Sequence, residues 1–134
     1  MRIRCLLLSF ALALSPGFAT RHAVAAPPAE GATPPYDEDL LRLAEILGGL
    51  HYLRPLCGAT GEAQRWRDEM VALIDTEQPS EARKGKMIAS FNRGYSSFAQ
   101  VYRNCTAAAR VAVERQLEQG SHLAHEIVVR YSGN

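Results

Sequence analysis

The sequence predicts an all-α fold, a compact four-helix and mostly antiparallel arrangement, and three observations carry the prediction. After Tyr36 the apolar residues recur at helical spacing to the end of the chain, with no alternating run long enough for a strand. Four such segments are divided by proline, glycine and residues suited to cap a helix. The connections between them are short, which favours antiparallel neighbours.

The first expected helix begins near Asp37, where Asp37, Glu38 and Asp39 suit the positive end of the helix dipole. Leu40, Leu43, Ile46, Leu47, Leu50 and Leu53 fall in one arc of roughly 140° at the helical 100° per residue. Pro55 predicts a kink or an end near Leu53, then a last turn carrying Cys57, with Gly58 and Gly61 as the stop. Thr60 is the expected cap of the second helix, which runs to Glu77 with Trp66, Met70, Leu73 and Ile74 on its apolar side. Pro79 ends it and Ser80 caps the third. That helix lines up Met87, Phe91, Tyr95, Phe98, Tyr102 and Cys105 on one stripe, with Gly94 inside it. Thr106 caps the fourth, whose arc holds Ala109, Val113, Leu117, Gly120, Ala124, Ile127, Val128 and Tyr131. Gly94 and Gly120 lie on core faces, where a missing side chain lets two backbones approach.

Ahead of the helices, residues 1–26 read as a cleavable export signal. Arg2 and Arg4 give a positive start, Cys5–Leu14 a short apolar run, and Val24-Ala25-Ala26 fits the small-x-small cleavage rule, with Ala23-Val24-Ala25 one residue earlier as an equal competitor. About ten apolar residues are too few to span a bilayer, so the segment is not read as a retained anchor. Residues 27–36, rich in proline, read as a flexible tether, and 37–134 as a single helical domain. Cleavage removes Arg2, Arg4 and Arg21 but no acid, so 15 basic residues become 12 against 14 acidic. That mildly acidic balance excludes the basic footprint of a nucleic-acid binder. The mature part carries no apolar run long enough for a transmembrane segment. The composition, 47% hydrophobic and 22% charged, is that of a folded domain.

Cys57 and Cys105 are the cysteines left after cleavage, and both fall on core-facing positions of their helices. In an oxidising compartment a disulfide is the economical reading, and two buried inert thiols the other. A redox motif would set its cysteines two apart at a helix start.

The remaining candidates are binding groups. Tyr52 and Arg54 lie in one unusual stretch, and Arg93, Tyr95 and Arg103 in and just beyond another; with Tyr102 they would form a shallow groove near the cysteines. Arginine with tyrosine is the composition of a binding surface, though the same rings pack in cores and the same arginines pair with acids. His122 and His125, with Glu118 and Glu126 nearby, share a helix face at a spacing that suits metal ligation or an ordinary solvated surface. No third ligand is fixed by the spacing, so no metal and no cofactor is assigned. Glu62, Asp68, Glu69 and Asp75 offer carboxylates for acid–base chemistry, but no spacing selects a pair. No catalytic residue is assigned.

The stretches His51-Tyr52-Leu53-Arg54-Pro55-Leu56-Cys57, Trp66-Arg67-Asp68-Glu69-Met70 and Phe91-Asn92-Arg93-Gly94-Tyr95, with Cys105 after Tyr102-Arg103-Asn104, resemble a family of small exported alphaproteobacterial proteins of unknown function. The resemblance covers roughly Leu47 to Tyr131 and implies a periplasmic location and one helical domain; it brings no activity to carry over. The expectation is therefore a non-enzymatic interaction or accessory protein of the cell envelope, whose partner is an envelope protein. The alternative is a periplasmic binder of a small ligand or metal.

Overall fold

The computed structural model describes residues 32–132. The expected signal peptide, residues 1–26, and the tether through residue 31 lie outside the described residues. Helix α1 spans Asp37–Leu56, α2 Arg65–Glu77, α3 Glu81–Val101 and α4 Ala107–Tyr131, with a 3-10 turn at Thr60–Glu62. The fold is the all-α, four-helix arrangement that the periodicity predicts, with no strand among the described residues.

The helix α1 runs unbroken through Pro55, because that proline falls in the last turn, where it removes only one backbone bond. Cys57 then donates its N–H to the Leu53 carbonyl at 3.0 Å, and Gly58, at φ +99°, turns the chain away. Thr60 does not cap α2. It opens the 3-10 turn instead, and Glu62 within that turn is tied back to α1 by Arg54, so the α-helix starts only at Arg65. Ser80 and Thr106 cap as expected, their hydroxyls accepting from the N–H groups of Arg83 at 3.3 Å and Ala109 at 3.1 Å. The α3 stripe stops short of Tyr102 and Cys105: Tyr102 is extended, at φ −112° and ψ 114°, and its carbonyl accepts a hydrogen bond from the Tyr52 hydroxyl.

The core is built on α1, which is buried on more than the one arc its leucines suggest: Ile46 to Leu50 are five consecutive buried residues. Leu40, Ile46, Leu50 and Leu53 are each no more than 2% exposed, and burying such a side chain stabilises by about 1.5–3 kcal/mol. Trp66 and Met70 of α2, Met87 of α3 and Ala109 and Val113 of α4 close around them. The helices α2, α3 and α4 meet one another far less than each meets α1.

Pairings along α1 fix the directions. Asp37 reaches Arg83, Glu45 reaches Arg93, Tyr52 reaches Tyr102 and Cys57 reaches Cys105, so the numbers rise together and α1 and α3 run parallel. Against α4 they run oppositely: Tyr36 stacks on Tyr131, Asp39 pairs with Arg130, and Ile46 lies beside Gly120. Glu62, just ahead of α2, lies at Arg54 near the end of α1, and Glu77, at the end of α2, lies by Arg83 near the start of α1. Successive helices are thus antiparallel, yet the most extensive contact is the parallel pair α1 and α3. Those two touch backbone to backbone. A Cβ on Gly94 would sit 1.9 Å from the Glu45 carbonyl oxygen, and one on Gly48 would sit 1.9 Å from that of Phe91.

Two stripe residues are exposed against their spacing, and the stripe cysteine lies beyond the end of α3. Tyr95 is 40% exposed because it stands beside the glycine crossing and covers His51 and Tyr52 from the side. Val128 is 59% exposed, in the last turn of α4. Cys105 is half-buried on the α3–α4 connection.

Candidate functional site

The C-terminal ends of α1 and α3 carry the first cluster. The sulfurs of Cys57 and Cys105 lie 2.06 Å apart, at disulfide distance, with the cysteines half-buried and not in the core. One turn earlier, the Tyr52 ring meets Tyr95 edge-on, centroids 5.2 Å apart, and His51 stacks obliquely on Phe91 at 5.5 Å and Tyr95 at 5.7 Å. Tyr52 and Tyr95 are therefore one aromatic cluster. The arginines are not gathered with them.

Arg54 gives two hydrogen bonds to the Glu62 carboxylate, at 2.8 and 2.6 Å, a bidentate pair that fastens the 3-10 turn to α1. The same contact holds the Glu62 carboxyl below its ordinary range, through the Arg54 hydrogen bonds first. Arg93 reaches Glu45 at 3.2 Å and the Ser90 hydroxyl at 3.1 Å. Arg103 is exposed and makes no ion pair among the described residues. The shallow arginine–tyrosine groove is thus a tyrosine pair with two of its three arginines committed to carboxylates.

His122 is 72% exposed and its Nδ1 lies 3.4 Å from Glu126, while His125 is exposed on the same helix. His122, and not His125, borders a charged concavity of about 640 Å³ with Arg42, Arg115, Glu118 and Glu126. Among the described residues no three His, Cys, Asp or Glu side chains come together as a metal centre would require.

A different concavity has a mostly apolar lining. An apolar groove of about 480 Å³ lies over α1 between α2 and α4. Its floor is Leu43, Ile46, Leu47 and Leu50, a face of α1 turned away from the glycine crossing. Trp66 and Leu73 form the α2 wall, and Leu117 and Ala124 the α4 wall, with Glu69, Thr76 and Ser121 as polar groups in the lining. The volume and the mostly apolar lining are those of a small-molecule or side-chain-binding pocket. Sequence reasoning missed it. The available signal was Gly120, Ser121 and Ala124, three small residues of α4 beside which a concavity opens over α1, with Leu43 half-buried at its edge. No described helix is long and apolar enough to cross a membrane.

Comparison with curated proteins and with solved structures returned no match. Comparison with protein families did: residues 35–131, from the turn before α1 to the end of α4, match the family described as "Protein of unknown function (DUF2385)". That span holds every helix and both cysteines described above, and the chain belongs to this family.

Proposed function

We propose that the chain is exported to the periplasm and acts there by binding, as a non-enzymatic interaction or accessory protein of the cell envelope, with the groove between α1, α2 and α4 as its binding site. The observation that carries the reading is the groove itself. Where α1 meets α3 the backbones touch, whereas on this side Leu43, Leu73, Leu117 and Ala124, all half-buried, border an open space with an indole wall and with Ile46, Leu47 and Leu50 buried at its base. An apolar side chain inserted there would leave water at about 25 cal/mol for each Å² covered. Export is supported by the basic start, short apolar run and cleavage rule of residues 1–26, and by a cysteine pair at disulfide distance.

The test is photo-crosslinking in exporting cells from a benzoylphenylalanine replacing Ala124. The expected result is one envelope protein, joined to a chain whose mass begins at Ala26 or Pro27, and lost when Ala72→Trp fills the groove from the opposite side. Crosslinks obtained from Arg103 but not from Ala124 would move the binding site to the disulfide end. The groove volume favours a second reading, a small apolar ligand. In that case N-phenyl-1-naphthylamine, a neutral apolar fluorophore, binds the purified protein at one per chain, and Ala124→Trp prevents it.

A further inference from the structure

We propose that the Cys57–Cys105 pair is a thiol-exchange site with a built-in direction: an incoming low-molecular-weight thiol bonds to Cys57, and Cys105 leaves as the thiolate. The two sulfurs sit in opposite electrostatic settings. Cys57 is the residue that closes α1, with its N–H on the Leu53 and Arg54 carbonyls at 3.0 and 3.2 Å, so its sulfur lies at the negative end of a 20-residue helix. Cys105 directly precedes Thr106, the cap of α4, at the positive end of a 25-residue helix. In addition, the Arg110 guanidinium lies 3.5 Å from the Cys105 sulfur, Nη1 towards Sγ. Negative charge is therefore opposed on one sulfur and stabilised on the other. Both cysteines are half-buried, neither belonging to the apolar core.

Exchange speed depends on how well the departing sulfur bears charge, and on which sulfur is attacked. The attacking thiol first loses its proton to solvent. Its thiolate then forms a bond to Cys57 Sγ, the Cys57–Cys105 bond breaks, and the electron pair departs on Cys105 beside Arg110. The thiol is oxidised to a mixed disulfide as Cys105 is reduced, so no further oxidant enters. Release of Cys105 frees the α3–α4 connection from α1, leaving the Tyr52 hydroxyl on the Tyr102 carbonyl as the neighbouring tie.

The experiment uses the folded mature protein and glutathione as the probe. Samples are quenched in acid after brief exposure, alkylated with N-ethylmaleimide, digested and mapped by mass spectrometry. Glutathione is expected on Cys57 and the alkyl group on Cys105, with the reverse pattern rarer by about fivefold or more, the scale of a helix-end charge plus one exposed cation. Arg110→Ala should slow adduct formation and even out the two patterns, and Arg110→Lys should largely restore both. Melting temperatures of the variants, expected to match that of the parent, separate this from unfolding. An even split, a preference for Cys105, no adduct on the folded protein, or an Arg110→Ala protein with unchanged bias would each overturn the proposal.

Discussion

The imidazole of His51 is packed against Phe91 and Tyr95 with its Nδ1 buried and without a hydrogen-bond partner among the described residues. Burial first, and the Arg67 guanidinium second, hold it below the usual histidine range, while the Ala63 backbone offsets part of this. A histidine that resists protonation when folded takes up its proton preferentially when unfolded. Its contribution to stability is therefore complete above the unfolded value, about 6.5, and declines as the pH falls from there through the lower folded value. Denaturant midpoints measured between pH 8 and 5 should drop on the acid side, and His51→Phe should flatten that part of the profile. An equal drop in His51→Phe would assign the acid sensitivity to other groups. The same residue illustrates how little of a side chain's role spacing reveals: its place in the chain marks it as unusual, and only the parallel approach of α3 turns it into an aromatic contact.

At the level of elements, the parallel pair of α1 and α3 is held at three points. Asp37, 8% exposed, receives Arg83 at 2.8 Å at one end, the cysteines join the other, and the glycine crossing lies between. The crossing tolerates no side chain, since the obstacles facing Gly48 and Gly94 are backbone carbonyls that no rotamer change relieves. Gly48→Ala or Gly94→Ala should therefore push the helices apart and cost about 3 kcal/mol or more, as severe overpacking does. Gly85, in α3 with open space where a Cβ would point, is the contrast: Gly85→Ala should stabilise by about 0.5–1 kcal/mol. Urea titrations of the three variants test this, and a harmless Gly94→Ala would mean that the helices cross elsewhere. The periodicity made the four helices legible, as did Ser80 and Thr106, because capping and amphipathic spacing are local. The role of Gly94 could be read from its place on a core stripe. Gly48 could not, because it lies on the side of α1 opposite the expected arc, and one buried face hides a second. The groove was missed for a related reason: small residues at Gly120, Ser121 and Ala124 mark it only once the gap between α2 and α4 over α1 is known, and no local pattern sets that gap.

For the molecule as a whole, the dependence of every helix on α1 has a consequence for unfolding. Each of α2, α3 and α4 meets α1 more than it meets the others, so none retains a core once α1 is released. Trp66, the single tryptophan, is 8% exposed and sits on α2 against α1, so its fluorescence reports that docking directly. Far-ultraviolet circular dichroism reports all four helices together. The two signals should follow one transition, as expected of a small domain with one core. The cysteines, 48 residues apart, constrain the unfolded chain by an amount worth about 4 kcal/mol in the chain-entropy account. Reduction should accordingly lower the melting temperature by more than about 10 °C for a domain of this size. The drop should leave the two signals coincident, because the lost constraint belongs to the unfolded chain and the contacts of α1 with its partners remain. If reduction instead separates them, with circular dichroism declining before the indole signal, then α3 or α4 detaches while α2 stays docked. The cysteine pair would then be holding an element in place, and not only shortening the reach of the unfolded chain.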